Sequence, residues 1–207
     1  MSSFKILKYT VGEMAENCYV VIDTATQNAL IIDPGDEADY LSGQIEKEKV
    51  HPVAIVATHG HFDHILAALE LQLMYAIPFR MNSADEFLLD RMSDSAEHFL
   101  GRKIVELPPK IIGGLQDNEI ISFGNSSLTV IQTPGHTPGS ISLYSKDIGL
   151  FVGDTLFAGG AVGRTDFSYS SESDLNNSIK KILQLPKNAV IYPGHGEETR
   201  VQYAYDT

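Results

Sequence analysis

Thr58-His59-Gly60-His61-Phe62-Asp63-His64 crowds three imidazoles and a carboxylate into six positions. As packing, such a cluster is costly, because buried polar groups need partners. As a ligand set it makes sense, since neutral imidazole and carboxylate oxygen both bind zinc and both suit iron and manganese. Residues 53–57, Val-Ala-Ile-Val-Ala, read as a buried strand leading into the run, and residues 65–71 read as a helix leaving it. The run therefore falls at a strand-to-helix turn, where loops on a rigid frame carry chemistry. A histidine tract on a solvated loop would lack this alternating spacing and these apolar flanks. The reading is a metal site.

The rest of the chain sets the frame. Its 207 residues, 43% hydrophobic and 20% charged, can bury a sizeable core, and one domain over residues 1–207 is expected. No window approaches the apolar length of a membrane span, and the N-terminal residues lack the apolar core of a signal peptide. Cys18 is the only cysteine, so no internal disulfide forms and a reducing, cytoplasmic setting is expected. It reads as a small buried residue of a strand. A formal net charge of -12 argues against a nucleic-acid surface, which would cluster Lys and Arg. The expected partner is a small molecule, not a nucleic acid or a membrane.

Two halves share one grammar. In the first, residues 4–11, 18–23 and 29–33 read as strands, rich in Val, Ile and Tyr and bounded by turn residues. Asp33-Pro34-Gly35-Asp36 is turn chemistry. Residues 37–50 carry Ala38, Leu41 and Ile45 at helical spacing. Residues 84–100 read as one further helix, with Phe87, Leu88, Met92, Ala96 and Phe99 on one side, and 101–114 as a loop. In the second half, strands are expected at 120–123, 128–132, 141–144, 150–152 and 189–192, with a helix at 174–185 closed by Pro186. Strands often adjacent to one another, with interspersed helices, imply two sheets flanked by helices.

Three more polar residues stand at the ends of expected core strands, each beside a glycine that lets backbone approach closely. His136 lies in Thr133-Pro134-Gly135-His136-Thr137-Pro138-Gly139, Asp154 follows Leu150-Phe151-Val152-Gly153, and His195 lies in Pro193-Gly194-His195-Gly196. His59-x-His61-x-Asp63-His64 followed by His136, Asp154 and His195 in that order resembles the metallo-β-lactamase superfamily. The resemblance spans about Asp33 to His195. It implies an α+β fold, an αββα four-layer sandwich of two mixed sheets flanked by helices, with the metals in a cleft at one edge of the sheets. It further implies that His59, His61 and His136 hold one metal, that Asp63, His64 and His195 hold a second, and that Asp154 bridges the two. Asp33 would orient a ligand from behind. The cofactors implied are two divalent metal ions, zinc first, with iron or manganese as substitutes.

Within that superfamily, residues 153–167, Gly-Asp-Thr-Leu-Phe-Ala-Gly-Gly-Ala-Val-Gly-Arg-Thr-Asp-Phe, are similar to the glyoxalase II (hydroxyacylglutathione hydrolase) branch, and residues 133–140 agree. Gly163-Arg164-Thr165-Asp166 is shared with short glyoxalase II-like hydrolases and with persulfide dioxygenases. The two-zinc lactamases usually place Cys near the second metal, the flavodiiron branch usually has Glu where His61 stands, and the RNA-processing branches carry a further domain and a basic surface. Full-length glyoxalase II continues into a C-terminal helical domain that helps grip glutathione, whereas this chain stops twelve residues after His195, so a short form is expected.

The resemblance implies hydrolysis of a thioester such as S-lactoylglutathione by a metal-bridging hydroxide, with Asp154 and Asp63 as catalytic carboxylates, Asp63 accepting a proton late in the cycle. Arg164 would hold a substrate carboxylate by a two-pronged hydrogen bond, or pair with Asp166. The alternative within the same fold is a mononuclear iron persulfide dioxygenase, with iron on His59, His136 and Asp154. A non-catalytic metal-binding module is a third reading, but structural zinc sites are closed and cysteine-rich, and this ligand set is neither. His51 and His98 read as structural residues, and Asn17, Tyr144 and Tyr169 as candidates to line a pocket.

Overall fold

The computed structural model describes residues 4–204. Its first sheet runs β1 (Phe4–Val11), β2 (Glu16–Asp23), β3 (Asn28–Ile32), β4 (His51–Val56) and β5 (Phe79–Arg80), each strand beside its neighbour in sequence. The β1–β2 and β2–β3 pairs are antiparallel, whereas β3–β4 and β4–β5 are parallel, with α1 (Ala38–Glu48) and α2 (Ala68–Tyr75) as the crossovers. Two further helices, α3 (Glu86–Leu89) and α4 (Met92–Leu100), precede the second sheet. That sheet holds β6 (Ile120–Phe123), β7 (Ser126–Gln132), β8 (Ile141–Ser145), β9 (Gly149–Gly153), β10 (Val190–Pro193) and β11 (Thr199–Arg200). Its one parallel pair, β9–β10, is joined through α5 (Glu172–Leu183).

Strand β2 explains the layering. All its residues are buried, as expected of a strand covered on both faces. Cys18, Val20 and Ile22 point to one side, against Leu41 and Ile45 of α1, Leu71 of α2 and Met92 of α4. Tyr19 and Val21 point to the other, where Leu30 and Val56 meet Val130, Leu143 and Phe151 of the second sheet. The outer face of the second sheet, Leu150, Val152 and Ile191, is covered by Ile182 of α5. The order is helices, sheet, sheet, helix, which is the α+β αββα sandwich read from the sequence. Among the described residues, no helix is long and apolar enough to cross a membrane.

Several element bounds differ from the sequence reading. The helix expected over 65–71 begins at Ala68, because Phe62–His64 form a 3-10 turn and Ile65 leaves it with a non-helical backbone. His51, read as structural, opens β4, paired with Asn28. The single helix expected over 84–100 is broken into a 3-10 turn at Ser83–Asp85, then α3, then α4. That break turns Phe99 out of the core, so it is 42% exposed and stacks on Phe62 at 5.9 Å. Helix α5 starts two residues early, because the Ser171 side chain accepts from the Asp174 N–H and caps it.

One carboxylate ties the two sheets at the end away from the metal-type cluster. Asp23, at the end of β2, accepts from the N–H of Ala25 and Thr26 and the Thr26 hydroxyl on Oδ1. Its Oδ2 accepts from the Asn125 N–H and the Ser126 hydroxyl, in the β6–β7 turn of the other sheet. Desolvation pushes its pKa up, but the hydrogen bonds from Ser126, Thr26 and Asn125 outweigh it and hold the carboxyl below its ordinary value. A group whose pKa is lowered by folding adds stability above its unfolded pKa, about 4, and loses it as pH falls through the folded value. Asp23→Ala should therefore lower the thermal midpoint at pH 7. The gap to the parent chain should close in acid, as measured by thermal melts at pH 7 and pH 3.

Candidate metal centre

Strands β3, β4, β7, β9 and β10 place their C-terminal ends at one rim of the sandwich. From there emerge Asp33, the run from His59 to His64, His136, Asp154 and His195. Close approach demands glycine here. A Cβ on Gly194 would lie 2.5 Å from Asp154 Oδ1 and 2.6 Å from His64 Cε1, so any other residue would push the His195 loop off the cluster. The start of β2 anchors that loop: Asn17 Nδ2 donates to the carbonyls of Pro193 and Gly196 at 3.1 and 2.9 Å, and Tyr19 OH donates to Pro193 at 2.7 Å. Asn17 is thus a brace for the loop, and Tyr144 lies away at a separate depression beside Gly149.

The seven side chains singled out from the sequence converge. His61 Nδ1 lies 3.0 Å from His59 Nε2 and 2.9 Å from His136 Nε2. Asp63 Oδ2 lies 3.4 Å from His195 Nε2. Asp154 stands between the two groups, with Oδ1 3.4 Å from His64 Nε2, and Oδ2 3.6 Å from His136 Nε2 and 3.7 Å from His195 Nε2. Ligand-type atoms within 4.8 Å of one another form the triads His59–His61–His136, His59–His64–Asp154 and Asp63–His64–His195.

These atoms fit metal ions better than they fit one another. Three ring nitrogens about one point have too few protons to satisfy every lone pair, and His64 Nε2 and Asp154 Oδ1 are buried without any hydrogen-bond partner. The opposite ring nitrogens are engaged outward: His59 Nδ1 with Thr58 Oγ1, His61 Nε2 with Tyr169 OH and His136 Nδ1 with the Arg164 carbonyl, at 3.1, 2.9 and 2.9 Å. This outward bonding orients rings that bind metal on their inner side.

The two halves differ electrostatically. Burial, reinforced by the neighbouring imidazoles, drives His59 well below the ordinary histidine pKa and takes His61 down to about 3. Burial also opposes charge on His64 and His195. There it is outweighed, by Asp154 and Asp33 around His64 and by Asp63 and Asp154 around His195, so both are raised. Asp63 and Asp154 resist burial in turn, Asp63 through His195 and His64 and Asp154 through His64, and both are held below the ordinary carboxylate value.

Three carboxylates stand behind the cluster. Asp33 accepts from Thr58 N and Oγ1 at 2.6 and 2.7 Å and lies 3.1 Å from His64 Nδ1, the position expected of a residue orienting His64. Glu16 was not singled out. It is buried 3.7 Å from His64 Nδ1, and burial pushes its carboxyl well up although His64 opposes this. Asp85 was read as part of a helix and instead joins two ligand loops. Its Oδ2 accepts from Gly60 N and Thr137 Oγ1 at 3.0 and 2.6 Å, and its Oδ1 from Gly139 N at 2.6 Å. The only sequence signal was Asn82 three positions earlier, whose side chain accepts from Ala84 N and starts a separate turn.

A cleft of about 270 Å³ opens over the cluster. Leu88, Arg91 and Phe99 from the α3–α4 segment line it together with Arg164, Phe167 and Tyr169, and the two segments meet where the Arg164 guanidinium lies 5.9 Å from the Phe99 ring centre. Arg164 is paired with Asp166 through both Nε and Nη2, at 2.8 and 2.7 Å, and its guanidinium lies 4.6 Å from the Phe167 ring centre.

A two-sheet sandwich with clustered His and Asp at its rim, beneath an open cleft, is the architecture of a metal-binding domain of the metallo-beta-lactamase fold. The chain belongs to the metallo-beta-lactamase superfamily, whose family model matches residues 11–195. It is 35% identical over 196 residues to the Haemophilus influenzae protein named hydroxyacylglutathione hydrolase GloC, covering 92% of this chain and 90% of that one. Among solved structures it resembles BLEG-1, described as a B3 metallo-beta-lactamase, with TM-score 0.87, 33% identity, and coverage of 96% of this chain and 95% of the other. It also resembles TTHA1623, crystallised in a di-iron-bound form, with TM-score 0.86, 31% identity, and coverage of 95% and 96%.

Two outcomes follow. Asp85→Ala leaves the buried N–H groups of Gly60 and Gly139 unpartnered and Thr137 Oγ1 with only Ser140 Oγ at 2.7 Å, which should cost about 3 kcal/mol by denaturant unfolding and lower the metal retained after dialysis. Because the surrounding carboxylates raise the proton affinity of His64 and His195 and a metal binds the neutral imidazole, metal uptake by metal-free protein should release protons and tighten as pH rises. Calorimetry in two buffers of different ionisation enthalpy measures that release, and identical heats in both would contradict it.

Proposed function

We propose that this chain is a binuclear metallohydrolase that cleaves a thioester, of the kind represented by S-lactoylglutathione. The observation that carries the reading is Asp154 at the floor of an open cleft: its Oδ2 lies 3.6 Å from His136 of one group and 3.7 Å from His195 of the other, while its Oδ1 faces His64. In this reading His59, His61 and His136 hold one ion, Asp63, His64 and His195 the other, and Asp154 both, with Asp33 orienting His64. The similarity to a protein named hydroxyacylglutathione hydrolase supports the choice of thioester. The lone buried Cys18 accords with a reducing, cytoplasmic setting.

Paired divalent cations held there, zinc first, would supply Lewis acidity, lowering the pKa of water and polarising a substrate carbonyl. The remaining work belongs to the chain. Burial keeps His59 and His61 neutral, so their lone pairs are available near neutral pH. Asp63 is held as a carboxylate at the cleft floor, where it accepts a proton late in the cycle, after the hydroxide has added to the acyl carbon. A thiolate leaving group, with a pKa of about 8.5, departs without a dedicated general acid. Leu88, Phe99 and Phe167 exclude water around the acyl portion.

Metal quantitation on protein purified without added metal, paired with turnover of S-lactoylglutathione, tests the reading. The expected result is about two divalent ions per chain and activity that is lost on chelation and restored by zinc. Asp154→Ala should reduce kcat/KM on the order of 10³-fold. One iron per chain, with oxygen uptake on a persulfide and no thioester cleavage, would replace this reading by the dioxygenase.

A further inference from the structure

The cleft holds two arginines in unlike states. Arg164 has its two-pronged edge occupied by Asp166, and its face is stacked on Phe167. Arg91 also lines the cleft, at the junction of α3 and α4, with its guanidinium 5.6 Å from the Phe87 ring centre. No carboxylate pairs with it among the described residues. Other cations near this rim are taken: Arg102 pairs with Glu13, and Lys8 reaches Glu197 and the Gly196 carbonyl. In a chain of net charge -12, an arginine without an acidic partner on the wall of an apolar cleft is a notable exception.

Its placement links it to the cluster. Phe87, which carries Arg91, packs edge-on against Tyr169 at 5.3 Å, and Tyr169 OH meets His61 Nε2 at 2.9 Å. Ser95, one helical turn beyond Arg91, lines the same wall and adds a hydroxyl beside it. A guanidinium and a hydroxyl on a rigid helical segment, set in an apolar wall, form a receptor for a carboxylate. The break in the 84–100 helix is what presents both residues to the cleft.

We infer that Arg91 is the specificity-determining residue of this cleft, anchoring a carboxylate on the thiol portion of the substrate, while Arg164 is held by Asp166 as part of the wall. This rests on the thioesterase reading for the reaction but not for the binding of an anion. It gives the chain an anion grip from its own α3–α4 wall.

The test uses metal-loaded protein with S-lactoylglutathione and its dimethyl ester, which lacks the carboxylate charges. Arg91→Gln should lower kcat/KM at least about tenfold for the anionic thioester, through KM, with kcat held within about twofold and the ester unaffected. Arg91→Lys should recover part of that loss. Arg164→Gln should affect both substrates alike. In parallel, calorimetric binding of S-hexylglutathione, a thioether that cannot be hydrolysed, reads the anchor without turnover. Binding that weakens about tenfold in Arg91→Gln and falls with salt supports it. If both thioesters are cleaved and the Arg91→Gln ratio between them is unchanged, the anchor is wrong and the thioesterase stands. If the thioether binds through Arg91 but no thioester is cleaved, the anchor stands and the thioesterase falls. Failure of the parent chain to bind the thioether or to prefer the anion overturns the anchor.

Discussion

Five imidazoles and two carboxylates turned toward one small volume leave more lone pairs facing inward than there are protons to share. Such a set does not hold itself together. It is imposed by what lies outside it: each ring among His59, His61, His64 and His136 is held from behind by a hydroxyl, a carbonyl or a carboxylate. The buried carboxylates Asp33 and Asp85 pin the loops themselves. Low local dielectric strengthens these outer bonds while it makes the unpaired inner atoms costly. Inward-facing, unsatisfied lone pairs are what a bound cation relieves.

The sandwich is the scaffold that makes this possible. Parallel pairing in the middle of each sheet brings the ends of β3 and β4, and of β9 and β10, to one rim. Strands buried on both faces cannot shift register without exposing an apolar side, so the loops they carry start from defined points. Asp33 leaves β3 with φ at 51°, a left-handed backbone that costs a non-glycine residue about 1–2 kcal/mol. Its two oxygens repay that strain through Thr58 and His64.

The cleft divides labour between its walls. On one side Arg164, Asp166 and Phe167 form an ion pair stacked on a ring, reaching Phe99 at 5.9 Å, with the Arg164 carbonyl left to hold His136. On the other, the α3–α4 segment offers aromatic surface, a hydroxyl and an arginine whose charge has no acidic partner. Metal chemistry at the floor and recognition at the wall are thus carried by different segments. The two remain coupled, through Asp85 to the loops of Gly60 and Gly139 and through Phe87 and Tyr169 to His61.

The layered α+β sandwich and the seven converging side chains were legible in the chain. Buried strands leave apolar runs, and ligand-type residues in Gly-rich turns after those runs have few other uses. Local periodicity also marked α1 and α5 to within two or three residues at each end. Glu16, Asp85 and the break between α3 and α4 were not legible. Asp85 looks like an ordinary first-turn acid of a helix, and its acceptor role exists only because Gly60, Thr137 and Gly139 arrive from distant loops. Likewise, sequence alone left Arg164 open between a ligand and Asp166, and gave Arg91 no distinction from any exposed helical arginine. Which residues can bind metal is a matter of side-chain chemistry and short spacing, which the sequence carries by itself. Which acid braces a loop, and which arginine is left unpaired, depends on neighbours far along the chain, and only the tertiary structure decides it.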